Sequence, residues 1–220
     1  MKTIIFIAPP AAGKGTQSKL VSDKYNLPHI STGDLLRNAI NDDSDISKQI
    51  KETMEKGNLV SDEIILALLE ERLKQDDCNS GYILDGFPRN TNQAKEYELL
   101  LEKLHKDLGY VILLDLDKEI AKARIVGRLS CKNCGSVYNE FVEETKPKIK
   151  GICDKCNQEL SKRSDDNEVT FEERYNTYLK ETQPLIDYYE NKGYLYRINS
   201  GISANYTFSE IERIIGSSKW

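Results

Sequence analysis

Residues 4–16 read Ile4-Ile5-Phe6-Ile7-Ala8-Pro9-Pro10-Ala11-Ala12-Gly13-Lys14-Gly15-Thr16. Four β-branched or aromatic residues without a polar interruption are the pattern of a parallel strand buried on both faces. The Pro- and Gly-bearing stretch after them ends the strand, and helix is expected from Lys14. Strand, glycine-bearing turn and helix N-terminus, in that order, are the setting of a phosphate-cradling loop. In such a loop backbone N–H groups point inward, a lysine reaches the β/γ oxygens and a hydroxyl helps hold Mg²⁺. Lys14 and Thr16 are the candidates for those two roles, with Gly13 and Gly15 as loop glycines. The general pattern G-x-x-x-x-G-K-[ST] is not met, because Ala8 stands at the first glycine and Gly15 at the hydroxyl position. An ordinary strand-to-helix turn with a solvated lysine is the competing reading of this stretch.

Outward from the loop, apolar strands are expected at Tyr82-Ile83-Leu84, at 111–116 and at 194–198, each among polar or helical stretches. Apolar residues recur at three- and four-residue intervals over 33–41, 45–56, 61–74 and 91–106, the spacing of helices with one buried face. A further helix is expected over 170–190, with Tyr175, Tyr178, Leu179, Leu185 and Ile186 as its buried stripe. This alternation of strand and helix implies an α/β fold with a parallel sheet. Residues 130–163 break the rhythm and read as an insert.

The chain has 220 residues, 39% hydrophobic and 30% charged, the balance of a globular protein with one sizeable core. A formal net charge of -5 argues against a surface built for sequence-independent contact with nucleic acid, so any phosphate site is local. The apolar run at 4–7 is too short for a signal peptide or a membrane span, from which a cytoplasmic protein is expected.

Four of the five cysteines form Cys131-x2-Cys134 and Cys153-x2-Cys156, separated by 18 residues. That spacing is expected of a four-cysteine structural zinc site, in which the thiolates fill the tetrahedron and leave no place for a catalytic water. An iron–sulfur or redox role is the alternative. A zinc ribbon contacting nucleic acid is the competing function, and the acidic charge balance weighs against it. Cys78 reads as structural or incidental.

Gly13-Lys14-Gly15-Thr16-Gln17, with a proline early in the loop, resembles the adenylate kinase loop G-x-P-G-x-G-K-G-T-Q, a version that tolerates Gly15. Ala8 and Ala11 replace glycines of that pattern, and a left-handed Ala11 would cost about 1–2 kcal/mol. Residues 30–37, Ile-Ser-Thr-Gly-Asp-Leu-Leu-Arg, are similar to the family's AMP-side segment. The resemblance places Thr32 near the adenine, lets Gly33 allow close approach and pairs Arg37 with the AMP phosphate. Gly57-Asn58-Leu59-Val60 resembles the stretch around the AMP base. Gly81-Tyr-Ile-Leu-Asp-Gly-Phe-Pro-Arg89 is the most specific likeness. It implies that Asp85 orders water around Mg²⁺, that Gly86 and Arg89 face AMP, and that Gln93 reads the adenine edge. Pyrimidine-monophosphate kinases of the same family resemble this segment too but usually carry asparagine where Gln93 stands, which favours AMP over UMP or CMP.

The spacing of Arg124 and Arg128 predicts both on one helical face. The resemblance assigns Arg124 to the ATP base and Arg128 to its phosphates, converges Arg163 and Arg174 on the transferred group, and uses Asp165 and Asp166 to position such arginines. Tyr138, after the first cysteine pair, is assigned to ATP. The implied fold is a phosphate-loop kinase core over 1–30, 61–128 and 165–220, with a helical AMP-binding insert at 31–60 and a zinc-binding lid at 129–164. The implied activity is reversible transfer of a phosphoryl group from ATP to AMP with Mg²⁺, by a monomer without nucleic-acid or membrane partners. GTP is the alternative donor. An adenylate-binding regulator with slow transfer is the alternative function, should Ala8 and Ala11 misplace the phosphates.

Overall fold

The computed structural model describes residues 3–40, 45–55, 60–163 and 166–217. In chain order the elements are β1 (Ile4–Ile7), α1 (Lys14–Tyr25), β2 (His29–Ser31), α2 (Thr32–Ala39), α3 (Asp45–Glu55) and α4 (Asp62–Leu73). Then come β3 (Ile83–Asp85), α5 (Thr91–Lys103), β4 (Tyr110–Asp115), α6 (Lys118–Val126), β5 (Arg128–Cys131) and β6 (Val137–Asn139). The chain continues through β7 (Leu160–Ser161), α7 (Glu168–Thr177), α8 (Gln183–Asn191), β8 (Leu195–Asn199) and α9 (Ala204–Ser217).

Strands β2-β3-β1-β4-β8 form one sheet in that order, all neighbours parallel. The period of two along each strand divides the core. Ile5, Ile7, Leu84, Val111 and Leu113 face one layer of helices, where they meet Leu69 of α4, Tyr97 of α5 and Tyr189 of α8. Ile4, Phe6, Ile83, Ile112 and Leu114 face the other, against Val21 of α1, Ile125 of α6, Phe171 of α7 and Ile211 of α9. Each such fully buried side chain contributes roughly 1.5–3 kcal/mol relative to exposure. The expected α/β class, a parallel sheet between helical layers, is what the chain adopts. A second, antiparallel sheet β6-β5-β7 stands apart on a small core of Leu129, Cys131, Tyr138 and Cys153.

Two expectations need correction. Arg124 and Arg128 do not share a helical face, because α6 stops at Val126 and Arg128 opens β5. The side-chain amide of Asn139 in β6 donates to the Arg124 carbonyl at 2.8 Å and the Glu140 N–H donates to the Gly127 carbonyl at 2.8 Å. The Arg124 carbonyl in the last turn is thus taken by β6, and that of Gly127, just past the helix, by the residue that follows β6. Nor is 170–190 one α-helix: the turn Tyr178–Thr182 is π-helical, and its extra residue rotates the face of α8 relative to that of α7. Leu185 and Ile186 are buried as expected, whereas Leu179 is 47% exposed. Strand β2 and helix α9 were not foreseen.

Candidate functional site

The carboxyl ends of β1 and β3 open into a cleft of ≈ 310 Å³. At its floor the loop after β1 turns back through Ala11 at φ 61 and Gly13 at φ 88 before α1 begins at Lys14. Lys14 Nζ lies 3.8 Å from Asp85 Oδ1, at the end of β3. His29 of β2 places Nε2 3.2 Å from Asp85 Oδ2. Burial opposes ionisation of Asp85, but the His29 hydrogen bond and the charges of Lys14 and Arg89 outweigh it and hold the carboxyl below its usual range. Burial lowers the Lys14 pKa, Asp85 opposes that, and Arg89, Arg128 and Arg174 lower it further.

Arg89, Arg128, Arg163 and Arg174 all line this cleft with Lys14 and Asp85, although they come from four separate segments. Arg89 is tied by its own backbone and side chain. Its Nε donates to the Gly86 carbonyl at 2.7 Å, and its carbonyl accepts from Thr182 Oγ1 in the π turn at 2.8 Å. Arg128 is held by both oxygens of the buried Asp166, Nε donating to Oδ2 at 2.7 Å and Nη2 donating to Oδ1. Asp166 was expected to position such arginines; Asp165 lies outside the described residues. One lining carboxylate faced by five guanidinium groups, Arg37 being the fifth, and an ammonium makes this cleft locally cationic in a chain of net charge -5. That is the electrostatics of a polyanion site.

The segments expected on the AMP side contribute to the lining of the same cleft. Gly33, Arg37, Val60, Gly86 and Gln93 line it. Thr32 is fully buried behind it, its hydroxyl donating to the Asp85 carbonyl at 3.2 Å. Arg37 pairs with Asp34 on the same turn of α2. A side chain at Gly86 would meet Thr32 Oγ1 at 3.0 Å and Arg89 Nη2 at 3.2 Å, so this close approach needs glycine. Leu59 lies outside the described residues.

Several expected site residues are not brought into the lining of the cleft. Gly13, Gly15 and Thr16 are not among the residues lining the cleft. Gln17 is buried and its Nε2 donates to the Ala204 carbonyl at the start of α9, 2.9 Å away. Arg124 Nη2 donates to the Ser200 carbonyl at 3.2 Å. Tyr138, expected at ATP, turns into the small core, where its hydroxyl accepts from the Asp154 N–H at 2.9 Å and sits 3.5 Å from Cys153 Sγ. Sequence reasoning missed Thr177, Tyr178 and Thr182, which line the cleft, and His29, which reaches it only through Asp85. The signal for Thr177 and Tyr178 was only that they follow Arg174 by one helical turn, and Thr182 lies a further turn on, in the π turn.

The four paired cysteines converge: their sulfurs all lie within 4.8 Å of one another, with Cys131–Cys156 at 3.4 Å and Cys134–Cys153 at 3.5 Å. A tetrahedral metal with bonds of about 2.3 Å to sulfur separates its ligands by about 3.8 Å, so the donor set fits zinc. Each pair sits on the same turn. Gly135 N–H donates to the Cys131 carbonyl and Asn157 N–H to the Cys153 carbonyl, both at 2.9 Å. Gly135 at φ 70 and Asn157 at φ 57 supply the left-handed residue that such a turn requires. Hydrogen bonding from Tyr138 is the main influence pulling the Cys153 thiol down, to about 6.

The sequence profile of a family described as adenylate kinase matches residues 6–194. An adenylate kinase of Archaeoglobus fulgidus is 46% identical over 212 residues, 96% of this chain and 97% of the relative. One from Geobacillus sp. (strain WCH70) is 43% identical over 213 residues, 97% of this chain and 98% of the relative. One from Clostridioides difficile (strain 630) is 43% identical over 216 residues, 98% and 99%. With the cationic cleft at the ends of β1 and β3, the arginines drawn into it and a likeness that runs almost end to end, the chain belongs to the adenylate kinase family.

Proposed function

We infer that this chain transfers a phosphoryl group reversibly between ATP and AMP, giving two ADP, with Mg²⁺ accompanying ATP. The observation that carries this reading is the convergence of Lys14, Arg89, Arg128, Arg163 and Arg174 on one cleft around Asp85. Phosphoryl transfer needs aligned oxygens, cations that neutralise them and exclusion of water, and little covalent chemistry from the protein.

Lys14 and the backbone of residues 13–16 would hold the ATP β/γ oxygens, with Thr16 on the metal side. Arg89 and Arg37 would grip the AMP phosphate, the latter on leaving Asp34. Arg128, held by Asp166, would meet the transferred group together with Arg163 and Arg174. Mg²⁺ would shield phosphate oxygens, and the carboxylate of Asp85, kept ionised, fits the ordering of its water shell. Thr32, Gly33, Leu59, Val60 and Gly86 would enclose the AMP base and Gln93 would bond its edge. The AMP phosphate is already an anionic nucleophile, so no general base is required.

Zinc on Cys131, Cys134, Cys153 and Cys156 would staple the lid. Closure of residues 31–60 on the AMP side and 129–164 on the ATP side, over the core of 1–30, 61–128 and 165–220, would expel water. We place the chain in the cytoplasm as a monomer acting on small nucleotides, with neither nucleic acid nor membrane as partner. No helix among the described residues is long and apolar enough to cross a membrane.

The test is ADP formation from ATP and AMP with Mg²⁺, with UMP and CMP as competing acceptors and Arg89→Ala alongside. The expected result is AMP-selective turnover that falls about 10²–10³-fold in the variant. Binding of both nucleotides without turnover would overturn the kinase reading and leave a nucleotide-binding protein.

A further inference from the structure

Gln93 is 1% exposed, and two of its four hydrogen-bonding positions are already committed. Its Oε1 accepts from the Arg89 N–H at 2.8 Å, and its Nε2 donates to Asp62 Oδ1 at 2.8 Å. The second oxygen of Asp62 accepts from Asn92 Nδ2 at 2.7 Å, which fixes the carboxylate. A peptide N–H only donates and a carboxylate only accepts, so one orientation of the amide satisfies both neighbours. Flipping it by half a turn sets nitrogen against N–H and oxygen against carboxylate, losing two hydrogen bonds and adding two repulsions. What remains free on Gln93 is one lone pair on the oxygen and one N–H on the nitrogen, at fixed places along the cleft wall.

We propose that Asp62 is a positioning residue that locks the Gln93 amide and thereby makes the acceptor site select adenine over hypoxanthine monophosphate. This rests on the kinase reading. Adenine presents an exocyclic amine that donates to Oε1 and a ring nitrogen that accepts from the amide N–H. Hypoxanthine presents the reverse pair, a carbonyl and a ring N–H, and in the same pose it finds partners only if the amide flips. A glutamine held less firmly would flip and serve both bases. The lock supplies the rejection, because the wrong base leaves polar groups facing like groups in a closed site. Asp62 lies in the first turn of α4, where an acid also favours the helix dipole. That effect is indifferent to the acceptor base, and the two roles therefore separate experimentally.

The test is kcat/KM for AMP and for inosine monophosphate, with ATP and Mg²⁺, in the parent chain, Asp62→Asn and Asn92→Ala. Asparagine at position 62 offers either a donor or an acceptor, so both orientations of Gln93 find a partner there. The expected result in Asp62→Asn is an AMP-to-inosine-monophosphate ratio about tenfold lower, carried mainly by KM. Asn92→Ala, which keeps the carboxylate but frees it to swing, lowers the ratio in the same direction by less and keeps the question answerable if Asp62→Asn folds poorly. Equal losses toward both acceptors, or an unchanged ratio in both variants, would overturn the lock while leaving the kinase intact. Absence of AMP turnover in the parent chain would overturn the kinase reading instead.

Discussion

Ala11 occupies backbone that favours glycine, at φ 61 in the loop beneath the cleft. Left-handed alanine costs about 1–2 kcal/mol, whereas glycine at the same place gives back roughly 0.5–1 kcal/mol in chain entropy. Ala11→Gly is therefore expected to stabilise the chain by about 0.5–1 kcal/mol, or roughly 2 °C in Tm for a protein of this size. Thermal melting followed by circular dichroism checks it, and a lower Tm would mean that the strain is relieved by contacts the alanine methyl makes. Residues whose role depends on charge in a local motif were legible in the sequence: Lys14, Asp85, Arg89, Arg128, Arg163 and Arg174 all reach one cleft. Gln17 and Tyr138 were not legible, because their partners, Ala204 and the Cys153–Asp154 turn, are set by tertiary packing that no short spacing encodes.

Among the elements, the break between α6 and β5 decides where Arg128 points. Helical spacing from Arg124 takes no account of Gly127, whose buried backbone leaves room for Asn139 to reach the helix's last turn. A methyl group at Gly127 would come within 2.4 Å of Asn139 Oδ1 and 2.6 Å of Phe141 Cδ2. Its φ is -87, so alanine meets no conformational barrier and would gain about 0.4–1 kcal/mol from chain entropy. Overpacking, at about 1–3 kcal/mol, exceeds that gain. Gly127→Ala is expected to destabilise the chain by about 1–2 kcal/mol in urea titration and to lower kcat as Arg128 is displaced; a stability equal to the parent's would refute the steric reading. Strand β2 escaped notice because three residues show no periodicity. Helix α9 does carry a usable signal, Ile211, Ile214 and Ile215 at helical spacing, all buried against the sheet. The π turn at Tyr178–Thr182 keeps the polar count of an α-helix and betrays itself only in the phase of Leu179.

At the scale of the molecule, two cores of very different size are joined in one chain. The central sheet is packed on both faces, whereas the β6-β5-β7 sheet rests on Leu129, Cys131, Tyr138 and Cys153. Two of those four are candidate metal ligands, and Tyr138 bonds beside one of them. Side chains worth roughly 1.5–3 kcal/mol each cannot order some thirty residues against a backbone entropy of about 1–2 kcal/mol per residue. A structural zinc site contributes an apparent ~10–16 kcal/mol, enough to change the balance. Stripping the metal with a strong chelator is therefore expected to disorder the small sheet while the parallel sheet stays folded. Melting should then show a separate transition at lower temperature, with most far-ultraviolet dichroism retained above it. Turnover should fall, since Arg128 in β5 and Arg163 beyond β7 lose their anchorage, but the chain should still bind AMP through Arg89, which β3 and α5 hold without the lid. Metal analysis confirming removal, together with an unchanged single melting transition, would show that the small sheet stands on its side-chain packing alone and that the four cysteines are not its staple.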